Sequence, residues 1–388
     1  MTPRAVVIGA GIGGLAAAAG LHRAGWDVTV CERAAALTQV GAGIAVAPNG
    51  LRALDTIGAG QPVRARATHQ ELGVRRTDGR WIARSSGPAI AARFGDPVVL
   101  LTRAALVDVL LGRVPDRALR LSVTVTAVAP GDRDGPAVVS TTAGDLDADL
   151  VVAADGIRSQ TRAAAFPGHH QLRYAGFTTW RFLTDPMEQP GPMSETWGSG
   201  AVFGVMPLSD GQVYCYAAAR SAPGVRASDE RAMLIGLFGA WHEPIPRLLG
   251  SVSANQILRH DVEELAGPLP AFHLGRIALA GDAAHPMAPN LGQGGCQALE
   301  DATMLARLAA PADPDRVPGL LARYTAVRQP RTTDIVRRSR RVAAAATMTS
   351  PLAVAIRNAT AMTMGKLMPR AALRGLAPVY DWHPPPAP

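Results

Sequence analysis

The chain has 388 residues and a net formal charge of +8, with 48% of residues hydrophobic and 18% charged. That length allows two or three domains of ~150 residues each, and the composition excludes a disordered, fibrous or collagen-like chain. The basic residues are arginines apart from Lys366 and form no single nucleic-acid-binding patch; their planar guanidinium groups suit pyrophosphate and carboxylate recognition instead.

Cys31, Cys215 and Cys296 are too far apart for a metal-binding pair or a disulfide framework, so no metal site and a reducing compartment are expected. The chain enters its first strand without a signal-type leader, and no apolar run reaches the ~18 residues of a membrane helix. These features predict a cytoplasmic protein without integral membrane contact and leave its oligomeric state open.

In chain order, Ala5–Ile8 reads as a buried strand, Gly9–Gly14 as GxGxxG, the alanine-rich stretch to about Ala24 as a helix, and Asp27–Cys31 as a second strand ending at Glu32. Gly9, Gly11, Gly13 and Gly14 form the candidate phosphate cradle. Gly9 permits the tight turn, Gly11 lets the backbone approach a pyrophosphate, and Gly14 lets helix pack on strand. The helix start presents unpaired N–H groups to the phosphates, and Glu32 is placed to accept from a ribose. Strand, helix, strand and acid in register point to a dinucleotide, NAD or FAD.

Between Tyr174 and about Asp261 the pattern changes to alternating strands, with GAVFGVMPL and QVYCYAAA flanking an SDG turn as a hairpin. Trp180, Arg181, Phe203, Met206, Tyr214 and Tyr216 are its candidate pocket side chains. Further on, GRIALAGDAAHPMAPNLGQGGCQALEDA reads as a strand over Arg276–Ala280, an acid at its end (Asp282), and a glycine-rich start to a helix. FAD extends past the pyrophosphate through a ribityl chain to a ring. Asp282 suits the ribityl hydroxyls, and the helix start suits the charge of a reduced flavin. From Ser339 the chain is alanine- and methionine-rich and helical, and WHPPPAP reads as an extended, partly disordered tail.

These stretches resemble the single-component FAD-dependent monooxygenases, the p-hydroxybenzoate hydroxylase family, and within it the salicylate hydroxylase-like and urate hydroxylase-like branch. The match covers nearly the whole chain. GAGIGGLAAAAGLHRAGWDVTVCER, the loop VGAGIAVAPNGLRALDTIG from Val40, DLVVAADGIRSQTR from Asp149 and the GD segment around Asp282 carry it, joined by YAGFTTWRF, WGSGAVFGVMPLSDGQVYCYA and FGAWHEPIPRLL. The resemblance implies an α/β fold: a Rossmann-like FAD-binding domain with an inserted β-rich substrate domain and a C-terminal helical segment. The expected division is 1–172 and 269–340 for FAD, 173–268 for substrate, and 341–388 for a helical cover and tail. By position it implies that Glu32 and Arg33 bind the adenosine ribose and that Arg103 contacts FAD. It further implies that Asp155 supports the pyrophosphate region, that Asp282 holds the ribityl chain, and that Pro289, Gly292, Gly294 and Gly295 line the flavin ring, with Pro289 also at the substrate pocket.

The resemblance also implies reduction of FAD by NADH or NADPH, reaction with O₂ to a C4a-hydroperoxide, and oxygen transfer to a small aromatic or polyketide-like substrate. The absence of a triad or metal motif and of a second GxGxxG agrees with it. His285 and Tyr214 are the candidate bases, and the loop from Gly41 carries none. Ala201 and Val202 stand where urate hydroxylase-like enzymes carry an arginine, which argues against urate. An alkene epoxidase, or a flavin dehydrogenase or reductase without oxygen insertion, are the alternatives on the same fold. A halogenase is disfavoured by the lack of WxWxIP and of a pocket lysine.

Overall fold

In a computed structural model, residues 2–37, 42–68, 71–189, 191–367 and 369–386 are described. Val40 and Gly41, which open the loop expected between the second strand and the next helix, lie outside them. The fold is the expected mixed α/β one. A six-stranded sheet runs in the order His273–Leu274, Ile277–Leu279, Leu150–Ala153, Arg4–Ile8, Asp27–Cys31, Leu119–Arg120. All its pairings are parallel except the first. Its central strands are continuous apolar runs because both faces are covered, as parallel sheets require.

The helix Ile12–Arg23 covers one face of this sheet and explains the alanine run. A Cβ on Gly20 would come 2.7 Å from the Ala306 Cβ, and one on Gly13 would come 3.1 Å from the Ala298 Cβ. Larger side chains would hold this helix away from Gly294–Leu308, on which it packs.

A second, seven-stranded sheet runs Leu258–Leu265, Leu172–Leu183, Val213–Arg220, Ala201–Pro207, Met193–Trp197, Glu71–Arg76, Trp81–Ser86. Ala201–Pro207 and Val213–Arg220 form the expected hairpin. The last two strands come from within 1–172 and extend the sheet through a parallel pairing of Glu71–Arg76 with Met193–Trp197. A short two-stranded ribbon, Gly43–Val46 with Val99–Thr102, packs Val46, Val99 and Leu101 into the core around the first sheet and Ala45 and Leu100 against Tyr214 of the second.

The helix Val317–Ala346 braces the molecule, followed by helices Pro351–Leu367 and Pro369–Tyr380. One basic run does occur, Arg337 to Arg341 around the buried Ser339. It is partly neutralised, since Arg338 pairs with Asp334 and Arg340 with Glu264. The proline-rich end is not loose at its start. Trp382 packs against the first core, and its carbonyl accepts from Arg52 Nε at 2.8 Å. Among the described residues no helix is long and apolar enough to cross a membrane.

Candidate cofactor and substrate site

Parallel strands point their C-terminal ends the same way. Arg4–Ile8, Leu150–Ala153 and Ile277–Leu279 therefore deliver the GxGxxG turn, the Asp155 turn and the Asp282 turn to one sheet edge, where doubly wound sheets bind ligands. Backbone bonds tie the turns together: Gly9 N–H to Cys31 O at 2.8 Å, Ala154 N–H to Ile8 O at 2.9 Å, and Ala280 N–H to Ala153 O at 2.9 Å. Gly9 sits at φ +95°, and a Cβ on Gly14 would run into the Gly9 carbonyl. A Cβ on Gly11, by contrast, would meet nothing within 4 Å.

Glu32, expected at the ribose, is already engaged within the protein. One carboxylate oxygen accepts Ala10 N–H at 2.8 Å and the other Ala34 N–H at 2.9 Å, so it also braces the glycine loop. Arg33 and Arg103 are exposed, and Arg103 opens the helix Arg103–Leu111 capped by Thr102. Asp155 Oδ2 accepts from Thr161 N–H and hydroxyl at 3.1 and 3.0 Å. Arg162, which sequence reasoning did not single out, is 2% exposed and donates to the carbonyls of Asp282 and Ala283 at 3.2 and 3.0 Å. It locks the Asp155 turn to the Asp282 turn. Its only sequence signal was its place in SQTR.

Asp282 is exposed, and so are Pro289 and Gly292, the latter left-handed at φ +60°. The helix Gly294–Leu308 begins without a side-chain cap or an acid in its first turn, leaving its positive end for a ligand. A Cβ on Gly295 would come 2.6 Å from Ile44, which packs the ribbon over this helix start. The residues suit an elongated polar cofactor. Asp155 Oδ1, Asn290 Oδ1 and Gln293 Nε2 are buried without a partner along the path from the second turn to the helix start, and buried polar atoms normally find one.

Behind the helix start lies a buried polar network that no motif announced. Arg328 is fully buried between Glu300 and Asp301, donating to Asp301 at 2.7 Å. Asp301 also accepts from Gly281 N–H at 2.9 Å and contacts His285 Nε2 at 2.5 Å. Burial alone would raise the Asp301 carboxyl, but His285 and Arg328 hold it down at about 2. Asn49 continues the network to the Gln293 side chain at 2.9 Å. His285 is thus 4% exposed and anchors this network, so its Nε2 is engaged inside the protein rather than toward a substrate.

The predicted pocket residues divide between the two faces of the second sheet. Arg181 pairs with Tyr216 and Met206 with Tyr214 across neighbouring strands, and cross-strand partners share a face. That face meets the ribbon, where Tyr214 packs with Leu100 and Ala45, and reaches Ala288, the residue before Pro289. Phe203 and Trp180 lie on the opposite face. Phe203 is fully buried against Phe182 and Phe238, with ring centroids 6.3 and 5.4 Å apart. The register of two residues per repeat decides this, and the sequence did not reveal which parity faced the helices.

On the pocket face the Tyr216 hydroxyl donates to Glu195 Oε1, and Trp197 Nε1 donates to Glu195 Oε2 at 2.7 Å. Burial raises the Tyr214 and Tyr216 hydroxyls above the ordinary phenol value, Tyr216 further because Glu195 lies against it. Glu195 escaped sequence reasoning because an isolated acid in a strand carries no periodic signal. Among the described residues no group of acids, histidines and cysteines is arranged to hold a metal.

Known proteins resemble this chain. The model of the "FAD binding domain" family matches residues 2–339. Aurachin C monooxygenase/isomerase of Stigmatella aurantiaca is 40% identical over 346 residues, covering 87% of this chain and 88% of that protein. A 3-amino-4-hydroxybenzoate 2-monooxygenase of Streptomyces cremeus is 35% identical, covering 88% and 86%. The solved structure of Klebsiella pneumoniae HpxO complexed with FAD and uric acid superposes with a TM-score of 0.88 at 27% identity, covering 97% and 96% of the two chains.

Proposed function

The chain belongs to the FAD-binding-domain family and is a flavin-dependent monooxygenase of the aromatic hydroxylase type, and from that premise we propose that it uses NADH or NADPH and O₂ to hydroxylate a small aromatic or polyketide-like molecule. The observation that carries the reading is the convergence of the three cofactor turns on one sheet edge, next to a half-apolar face bearing Arg181, Met206, Tyr214 and Tyr216. Relatives named for an aurachin and for an aminohydroxybenzoate support an aromatic substrate.

When bound, FAD supplies hydride acceptance from the nicotinamide and activation of O₂. The chain's own residues do the rest. Gly9, Gly11, Gly13 and Gly14 with the first helix start hold the pyrophosphate, Glu32 and Arg33 the adenosine ribose, and Arg103 and Asp155 flank the phosphate path. Asp282 holds the ribityl hydroxyls. Pro289, Gly292, Gly294 and Gly295 line the ring, where the uncapped helix end stabilises negative charge. The ribbon and the second sheet's face enclose the substrate and exclude water. Segments 1–172 and 269–340 form the cofactor unit in this reading, with the strands at 71–86 lent to the substrate sheet, and the three free, buried cysteines suit a reducing cytoplasm.

The test is the absorbance spectrum of the purified protein, followed by NADH and NADPH oxidation under ¹⁸O₂ with a panel of phenols and fused heteroaromatics. Bound flavin, substrate-stimulated oxidation and a product carrying one ¹⁸O atom are expected. Flavin reduction with no ¹⁸O in any product would replace the hydroxylase reading with a reductase.

A further inference from the structure

Of the 39 basic and 31 acidic residues of the chain, eight of the basic and none of the acidic lie between Ile335 and Tyr380. That stretch therefore holds the whole net charge of +8. It comprises the end of the long brace and the helices Pro351–Leu367 and Pro369–Tyr380. Arg338 and Arg340 are matched by Asp334 and Glu264, which lie outside it. Arg337, Arg341 and Arg374 are exposed and belong to no ion pair among the described residues.

The helix Pro351–Leu367 is inverted in polarity. Its exposed positions recur in pairs four residues apart as far as Met364, which makes them one stripe along the helix. The stripe carries Leu352, Ala355, Ile356, Ala359, Thr363 and Met364 and no charge. Leu352, Ile356 and Met364 are 71%, 58% and 51% exposed. The one charged side chain before Met364, Arg357, turns inward, stacking on the Trp197 ring at 5.2 Å and donating to the Ala345 carbonyl at 2.9 Å. The inner side of the helix packs on the strand Trp81–Ser86. A helix that only covers a core turns its charges to water and its large apolar groups to protein. Single exposed apolar residues are ordinary, but three large ones in one uncharged stripe mark an interaction surface.

We propose that this stripe rests on an anionic lipid surface, with the acid-free basic stretch around it drawing the protein to negatively charged headgroups. Charge chooses that occupant. A second copy seated isologously would set the same basic stretch against itself, like charge on like. A nucleic acid would meet an aliphatic stripe with no aromatic ring to stack on its bases. An anionic bilayer satisfies both halves, because the cations meet headgroups while the aliphatic side chains enter the acyl boundary. Among the described residues no helix is long and apolar enough to cross a membrane, so the contact is interfacial. The inner side of the same helix touches Trp197, which packs with Tyr216 on the cluster containing Ala288. The bilayer would thus lie one helix diameter, ~10 Å, from the sheet face read above as the substrate side. The surface goes beyond the hydroxylase reading and stands without it, since lipid binding is measured without turnover.

The test is sedimentation of the full-length holoenzyme with vesicles of phosphatidylserine and phosphatidylcholine in equal parts, and with phosphatidylcholine alone. The wild type should partition about tenfold or more strongly onto the anionic vesicles and leave them at ~1 M salt, where the Debye length falls to ~3 Å. Arg337→Gln with Arg341→Gln should weaken that binding about 25-fold, since each cation near the surface contributes about fivefold. Arg113→Gln with Arg117→Gln, an equal loss of charge at exposed positions elsewhere, should weaken it far less. Leu352→Gln with Ile356→Gln should cost about tenfold or more by removing the apolar contact. All six side chains are exposed, so melting temperature and flavin spectrum should hold throughout. A direct reading at the stripe comes from Ile356→Cys labelled with a polarity-sensitive fluorophore, because the three native cysteines are buried. Its emission should shift to the blue on the anionic vesicles. Unshifted emission, equal losses for the two arginine pairs, or full binding by Leu352→Gln with Ile356→Gln would overturn the proposal. So would a wild type that sediments with neither vesicle; a dimer broken by Leu352→Gln with Ile356→Gln would then name a second copy as the occupant.

Discussion

Two carboxylates at the cofactor edge differ in what they hold. Asp282 is exposed at its turn, whereas Glu32 accepts Ala10 and Ala34 N–H within the protein. Asp282→Ala should therefore weaken FAD binding by ~10–100-fold, the worth of a charge-assisted hydrogen bond at about 1.5–3 kcal/mol, and leave the melting temperature of the apoprotein unchanged. Glu32→Ala should lower both. Fluorescence titration with FAD and thermal melts of the FAD-free protein separate them, and an apoprotein equally destabilised by both changes would contradict the distinction. The ribose role proposed for Glu32 was read from its place at a strand end. Its brace on the loop was not, because that depends on the loop folding back over the strand.

At the level of elements, the glycines of the first helix and its lead-in turn answer to different neighbours. Gly14→Ala drives a methyl into the Gly9 carbonyl, and Gly20→Ala brings one to 2.7 Å from Ala306. Overpacking of this kind costs about 1–3 kcal/mol, so urea unfolding of Gly20→Ala should show a lowered midpoint. Gly11→Ala points its methyl into open space and should melt like the wild type while losing FAD affinity, since the methyl stands where the pyrophosphate approaches. A Gly11→Ala protein with wild-type affinity would remove that glycine from the cradle. The turn at Gly9 and the close packing at Gly14 followed from spacing alone, as did the role proposed for Gly11. That of Gly20 did not, because its partner is nearly three hundred residues away and only helix-on-helix packing brings them together.

Over the whole molecule, the Arg328–Asp301–Glu300 cluster joins the cofactor helix to the long brace, and Arg331 extends it to the carbonyls of Pro378 and Val379 near the C-terminus at 2.9 and 3.0 Å. Arg328→Met removes the cation that two buried carboxylates share, leaving Glu300 to Arg331 and Asp301 to His285 and the Gly281 N–H, a change worth about 3–5 kcal/mol, readable by urea unfolding at neutral pH. The carboxyl of Asp301 lies near 2 in the folded protein, below the ~3.9 of an unfolded aspartate. A depressed carboxylate stabilises the fold above the unfolded value and loses that contribution as pH falls through the folded one. Stability from Asp301 should thus be constant above about pH 4 and decline toward pH 2. The difference between wild type and Asp301→Asn should shrink over that window, and a gap that stayed constant to pH 2 would count against the depressed carboxyl.

By itself the sequence determined the dinucleotide turn, the order of the cofactor segments and the family, because each rests on local spacing: glycines where backbone must approach phosphate, and acids at strand ends. It also marked the strands of the second sheet that, in the proposed reading, carry the pocket. Only the tertiary structure decided which side of those strands meets the ribbon, putting Tyr216 on that side and Phe203 against Phe182 and Phe238 on the other. It likewise decided that His285 is held by Asp301, that Glu195 meets Tyr216 across Gly204, and that residues 71–86 complete the second sheet. These are contacts between positions distant in the chain, and their energy depends on burial and register, which no local pattern encodes.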